Sequence, residues 1–387
     1  MVIKQKITVD VVIIGGGIAG LWTLHRLHAL GLYAILLENA TLGGKQTMHS
    51  QGIIHSGTKY ALTGTANQAA NALAAMPELW QDCLSGKDNS AIDLSQVEIL
   101  STQQFLWSTN ALSAKLSNFF ASKIVRSSMQ PVAANQYPEL FKNKLFNGNI
   151  YALQEPVLNT HSLVTALVKP LQQYIYKIDF LTKVNNDLII THDNNKLTIT
   201  AQHYIFTAGT GNNQKIMQLR PLHMVAVKLN NNNPSKLFAH CIEAQASLNA
   251  TPTVTITSHV NNAGEIIWYL GGKIAETGVA KTENEQIAFA RQELQRCLPW
   301  VNLAGTWQSI RIDRAEPYQA NGKKPYSFSI ETRGDQTIAW PVKLVLAPIL
   351  AETIATKLQL KPQAIQNIDL LKYLPRPDIA TPFWEQI

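Results

Sequence analysis

The sequence predicts an α/β protein: a parallel sheet built on an opening strand–helix–strand unit, carrying an inserted β-rich domain. Three observations carry that expectation. Residues 8–14 form an apolar run that ends in Gly15-Gly16-Gly17-Ile18-Ala19-Gly20. A helical pattern then runs from Ile18 to Leu30 and is closed by Gly31, and a second apolar run, 32–38, ends at Glu38. Between about 222 and 271 the pattern changes to alternating apolar and polar residues, the mark of an antiparallel sheet.

Taken in order, 8–14 reads as a buried strand, 18–30 as a helix and 32–38 as a second strand. An Ala-rich region from Ala66 to Ala75 reads as a helix that stops before Pro77, and Gln96 to Trp107 has strand character. His161 to Leu171 is a helix, followed by strands at 177–184 and 188–191 and by a strand within 201–209. Met224 to Lys228 and Thr253 to Thr257 alternate as sheet strands do. Thr282 and Glu285 have the spacing of a capping box, opening a helix with Ile287, Ala290, Leu294 and Cys297 on one face. Val342 to Leu358 is the final helix. The nucleotide domain is therefore expected at 1–80, 150–215 and 335–387, and the substrate domain at 81–149 and 216–334.

Composition narrows the class. With 46% hydrophobic and 15% charged residues, the chain of 387 residues is globular and large enough for two cores. No uncharged apolar run is long enough for a transmembrane helix. Lys4 and Lys6 before Val11 to Ile14 imitate a secretory signal, but Asp10 and the following glycines favour a first strand. Cys83, Cys241 and Cys297 form no disulfide framework, which fits a cytoplasmic protein. The net charge of +7 favours an anionic substrate and leaves room for a peripheral hold on an acidic membrane surface. Basic residues are scattered, with Lys323-Lys324 adjacent near a turn, so nucleic acid is not an expected partner.

The glycine turn carries the first functional reading. Gly15 permits the tight turn, Gly17 lets backbone approach a pyrophosphate, and Gly20 lets helix pack on strand. The helix amino terminus, at Ile18 and Ala19, offers N–H groups and a partial positive charge to that anion. Glu38, with Asn39 beside it, lies where a carboxylate accepts hydrogen bonds from ribose hydroxyls and repels a 2′-phosphate. The unit is a Rossmann-like dinucleotide-binding fold, and the motif alone does not separate FAD from NAD.

The next segment makes that distinction. Gly43 to Tyr60 is a run of Gly, Ser, Thr and His in place of an ordinary helix, as for a loop lying against a ring system. Here the chain resembles the D-amino-acid oxidase superfamily of FAD-dependent oxidoreductases. Thr47 to Tyr60 looks most like its L-2-hydroxyglutarate dehydrogenase/oxidase branch, and is similar to aerobic glycerol-3-phosphate dehydrogenases. The resemblance implies that FAD is bound along Thr47, His49, Ser50, Gln51 and Gly52, with His55 near the flavin and Lys59 and Tyr60 facing substrate. It implies an adenine clasp at Lys183-Val184, a closing turn at Ala208 and Gly209, and a further turn at Leu270 to Lys273. Trp307 to Arg311 looks like the family segment whose arginine points at the substrate, and Lys343 like the residue that opens the last helix near the flavin pyrimidine. Thr47 to Gly52 also resembles the string that carries covalent FAD in dimethylglycine dehydrogenases. The hydroxyglutarate enzymes share a histidine there, so attachment through His49 is not the expected mode. The chain departs from the family at Trp340-Pro341, where relatives have glycines, and at Asp313 to Pro317 and Asn321 to Lys324.

The chemistry assigns roles. Oxidising a hydroxy acid needs a base for the O–H proton, for which His55 is the first candidate and His49 the second; for each, a hydrogen-bonded loop histidine is the plainer reading. Arg311 suits a carboxylate or phosphate, or else an ion pair with Asp313 or Glu316. Lys343 suits negative charge developing on the flavin, or else is a solvated lysine at a helix start. His223, Trp268, Tyr269, Tyr326 and Phe328 either line the pocket or fill the core. No metal-ligand spacing is present. The expectation is a hydride transfer from a small anionic 2-hydroxy acid or glycerol-3-phosphate-like substrate to FAD, with oxygen, a quinone or another carrier as electron acceptor. Amine oxidation of the sarcosine/glycine type, or flavin binding without turnover, are the alternatives.

Overall fold

The computed structural model describes residues 6–55, 76–87, 92–108, 129–193, 195–212, 214–230, 235–242, 251–320, 322, 325 and 327–387. The helix expected at 66–75, Lys59, Tyr60, Lys323-Lys324 and Tyr326 lie outside them.

Among the described residues, two eight-stranded sheets carry the fold. In the first, the strands Gln336–Trp340, Asn195–Phe206, Lys6–Ile14, Ala34–Glu38 and Ile175–Lys177 lie side by side, all parallel. Successive side chains of a strand point to opposite faces. Val11 and Ile13 thus join a core with the helices Ile18–Ala29, Thr160–Val168 and Ala347–Leu358, while Val12 and Ile14 join another on the far face. An antiparallel hairpin, Phe180–Val184 with Asp187–His192, pairs with the first half of Asn195–Phe206. Asp10 is buried midway along the first strand, where its carboxylate accepts from the Tyr33 and Gln363 amides and from the Gln202 side chain.

The second sheet is antiparallel except where Gln104–Ser108 runs parallel to Ala239–Ile242. Its long pair, Met217–Leu229 with Gly305–Pro317, forms one edge. Val225 and Val227 face a core shared with the helix Glu283–Cys297, opened by the expected Thr282/Glu285 capping box. Met224 and Ala226 face the other side, covered by Phe383 and Trp384 of the carboxyl-terminal tail. All three cysteines are buried. Trp268 and Tyr269 are core residues, His223 is buried between Gly278 and Ser309, and Phe328 packs on the first core.

Several elements differ from the sequence reading. The run 177–184 is two strands, Ile175–Lys177 and Phe180–Val184, pairing with different neighbours. The helix expected to reach Leu171 ends at Val168 and tightens into a 3-10 turn, Lys169–Tyr174, where Pro170 removes a donor. The stretch 96–107 divides into Ile99–Ser101 and Gln104–Ser108, in separate sheets. The last helix starts at Ala347 instead of Val342, because Val342 has φ +62° and Lys343 is extended. Strand Ile150–Leu153 belongs to the second sheet and Ser329–Arg333 to the first, so the chain crosses between sheets a few residues from where composition placed the boundaries.

Candidate active site

In an open parallel sheet, ligands bind beyond the carboxyl ends of the strands. Here those ends are Ile14, Leu37-Glu38, Phe206 and Ala339-Trp340, and all border one cleft of about 920 Å³. Its other wall comes from the second sheet, through Leu222, Met224, His240, Thr255, Ile312 and Arg314.

The glycine turn forms the floor. Gly15 has φ +107°, and a Cβ there would meet the Ala208 Cα at 2.7 Å, so only glycine lets this turn lie against Ala208. A Cβ on Gly20 would fall 2.0 Å from the Gly15 carbonyl oxygen, so its role is helix-to-turn packing rather than contact with a ligand. Gly17 is open apart from Thr47 Oγ1, and it lines the cleft with Ile18 and Ala19. Thr47 is buried, and its hydroxyl accepts from the Ile18 amide at 3.0 Å. It holds the helix start from beneath. Glu38 accepts from the Gly16 amide at 2.7 Å through one oxygen and from the Asn39 and Ala40 amides at 2.9 Å through the other. The carboxylate is thereby fixed on the cleft wall with further lone pairs for a ribose.

The loop after Glu38 crosses to the second sheet. Gln46 accepts from the Ala315 amide, the Tyr269 hydroxyl donates to the His49 carbonyl, and the Gln51 amide donates to the Thr255 and Tyr269 carbonyls. His49, Ser50 and Gln51 line the cleft, whereas Gly52 sits under Leu158, whose amide donates to its carbonyl. Burial, and next the nearby Lys45 charge, lower the His49 pKa. Its Nδ1 and the buried Trp340 Nε1 have no hydrogen-bond partner among the described residues, and both side chains line the cleft. Buried polar atoms are almost always paired. A ligand rich in acceptors and donors, such as a dinucleotide, fits a wall that carries two orphans.

His55 also lines the cleft, with Nδ1 3.0 Å from a carboxylate oxygen of Glu155. Glu155 was not singled out from sequence. Lys343 lines the cleft beside Trp340 and Val342, and Ala208 and Gly209 close it from the side of the strand Asn195–Phe206.

Two expected contacts fall elsewhere. Arg311 is exposed, and its guanidinium donates to the Val279 and Lys281 carbonyls. It pairs with neither Asp313 nor Glu316 and does not reach the cleft. Arg314, three residues on, does. It stands directly across the strands from Arg220, donates to the Arg220 carbonyl and has Glu276 at 4.0 Å. Arg220 pairs at 2.7 Å with the buried Glu316. Burial, and next the Arg220 charge, lower the Arg314 pKa. Val184 is exposed at the far end of its strand and does not line the cleft, which is bordered in this region by Ile178 to Leu181. Lys183 forms an ion pair with Asp335 and lies over the Tyr204 ring. At the opposite end of the hairpin from Val184, Asp179, His192 and Asp193 bring their ligand atoms within 4.8 Å of one another, a grouping that chain spacing did not reveal. The Asp179 carboxylate is already engaged by the Asp193 amide.

Comparison with known proteins agrees with this geometry. The family model described as FAD dependent oxidoreductase (DAO) matches residues 10–325. The chain is 40% identical to the probable FAD-dependent oxidoreductase PA4991 of Pseudomonas aeruginosa, over 98% of both chains. It superposes on the crystal structure of that protein with a TM-score of 0.82, covering 99% of each at 34% identity. The L-α-glycerophosphate oxidase of Mycoplasma pneumoniae with FAD bound shares the fold at a TM-score of 0.62 and 14% identity, covering 92% of this chain and 95% of that one. The glycine oxidase of Geobacillus kaustophilus shares it at 0.61 and 13%, covering 94% and 98%. Glycine turn, orphaned polar atoms and matching chains converge: this protein belongs to the D-amino-acid oxidase family of FAD-dependent oxidoreductases, with FAD as its cofactor.

Proposed function

We propose that this oxidoreductase acts on a small anionic substrate at a carbon bearing a hydroxyl group, a 2-hydroxy acid or a glycerol-3-phosphate-like ester. The observation that carries the reading is Arg314, a largely buried guanidinium on the cleft wall whose neighbour Arg220 is already neutralised by Glu316. Arg314 binds the carboxylate or phosphate through paired N–H donors. His55 takes the hydroxyl proton, leaving the carbon–hydrogen bond to break with its electron pair. FAD supplies the acceptor for that hydride. Lys343 adds a fixed positive charge at the cleft wall, where it favours the build-up of negative charge. Substrate thus loses a hydride and a proton and becomes a carbonyl compound, and a separate acceptor (oxygen, a quinone or another carrier) removes the two electrons.

The test is anaerobic mixing of the yellow holoprotein with 2-hydroxy acids, glycerol 3-phosphate, amino acids, secondary amines and uncharged alcohols. Bleaching by anionic hydroxy compounds alone is expected. Bleaching by amines and not by hydroxy compounds would replace this reading with an amine oxidase. Equal bleaching by uncharged alcohols would remove Arg314 from it.

A further inference from the structure

His55 and Glu155 meet because the backbone makes them meet. The Leu158 amide donates to the Gly52 carbonyl, Ile53 forms an antiparallel bridge with Val157, and the Ile54 amide donates to the Pro156 carbonyl. One step further in this register, His55 lies opposite Glu155. A residue and its direct antiparallel partner face the same side, so the 3.0 Å contact between Nδ1 and the carboxylate follows from strand pairing. Glu155 is further pinned by its own amide, which donates to the Leu153 carbonyl.

The two side chains differ in their access to water. The Glu155 side chain is 2% exposed and that of His55 31% exposed, toward the cleft. A carboxylate buried this deeply must be paired and hydrogen-bonded. An imidazole that donates its Nδ1–H to this carboxylate carries its ring lone pair on Nε2, the atom able to accept a proton. The nearby negative charge also stabilises the imidazolium once Nε2 is protonated. A second titratable group beside His55 is His240, whose ring centroid lies 6.4 Å away and whose Nδ1 is 2.8 Å from the Thr255 hydroxyl. A charge on that ring would oppose one on His55.

We propose that Glu155 is the positioning residue of His55: it fixes the Nδ1–H tautomer, presents Nε2 to the cleft and raises the proton affinity of the ring. The proposal deepens the reading of His55 as the proton acceptor and rests on it for its place in the reaction. The proton taken from substrate at Nε2 leaves by the solvent-accessible edge of the same ring, while Glu155 stays ionised throughout.

The experiment is an NMR titration of the FAD-loaded protein carrying 13C,15N-labelled histidine, with the His55 signals identified by their loss in His55→Gln. In the wild type the nitrogen shifts should report the Nδ1–H tautomer. In Glu155→Gln the His55 midpoint should fall by about 1 pH unit or more, in line with loss of an adjacent opposite charge. Glu155→Asp should recover part of the shift. Flavin absorbance and thermal midpoint identify variants that have merely misfolded. An unchanged midpoint in a folded, yellow Glu155→Gln protein, or an Nε2–H tautomer in the wild type, would overturn the proposal. Failure of the underlying reading looks different: His55→Gln would then bleach with substrate as fast as wild type, whatever the titration showed.

Discussion

A guanidinium that loses water on entering a cleft wall recovers that loss from an anion. Arg314 has a backbone carbonyl and a distant Glu276 for partners, whereas Arg311 spends its donors on two carbonyls away from the cleft. Replacing Arg314 by Met should therefore raise KM for the anionic substrate roughly 10–100-fold, the size of a hydrogen-bonded charge contact, while Arg311→Ala should leave KM unchanged. Steady-state kinetics with the substrate found by bleaching decide it; equal effects at both positions would return Arg311 to the site. Which of two arginines in one strand borders the cleft was not legible in the sequence, because sheet twist and register set where each side chain points. Gly20 was legible as part of the turn. Gly20→Ala would place a methyl group against the Gly15 carbonyl, so the variant should purify without flavin and regain little on addition of FAD.

Elements differ in how much of their reason is local. The helix Glu283–Cys297 carries its start signal with it: the Thr282 hydroxyl accepts from the Glu285 amide and the Glu285 carboxylate accepts from the Thr282 amide. Thr282→Ala should lower stability by about 1 kcal/mol in denaturant unfolding and leave flavin content unchanged, since this helix packs on the far side of the second sheet. The final helix has no such signal. Its apolar residues are periodic from Val342 onward, yet Val342 adopts a left-handed conformation that a β-branched residue avoids. The turn that re-aims the chain at the cleft overrides periodicity there, and with it the position of Lys343. The loop from Gly43 to His55 shows the same limit: its composition announced a ligand-facing segment, but its clamps, through Gln46, Gln51 and His49, reach partners more than two hundred residues away.

For the molecule as a whole, burial of histidines links folding to pH. Burial is the largest cause lowering the pKa of His25, His28, His49, His203 and His259. His259, stacked on Trp384 at 3.7 Å, is taken down to about 3. In the unfolded chain these rings bind protons near the ordinary value of 6.5, while the folded chain resists until lower pH. Their contribution is therefore complete above about pH 6.5 and is lost as pH falls toward the folded values. The thermal midpoint should drop between pH 7 and pH 5, and His259→Phe, which keeps the stack on Trp384, should drop less; a parallel decline in both would remove His259 from the explanation. FAD binds the folded chain, so its addition should raise the midpoint by mass action, by about 2.7 kcal/mol of stability at a hundredfold excess over Kd. Acid precipitation should release the flavin into the supernatant. Flavin remaining with the pellet would instead indicate a covalent bond at His49.

By itself the sequence determined the strand–turn–helix with its acid at Glu38, the alternation of the second sheet and the capping box, because each is dictated by neighbours a few residues apart. Tertiary structure alone decided that His55 faces Glu155, that Arg314 and not Arg311 lines the cleft, and that Ile178 to Leu181, in place of Val184, border it. Those outcomes depend on register between strands distant in the chain, and a shift of one residue in register turns every side chain to the opposite face.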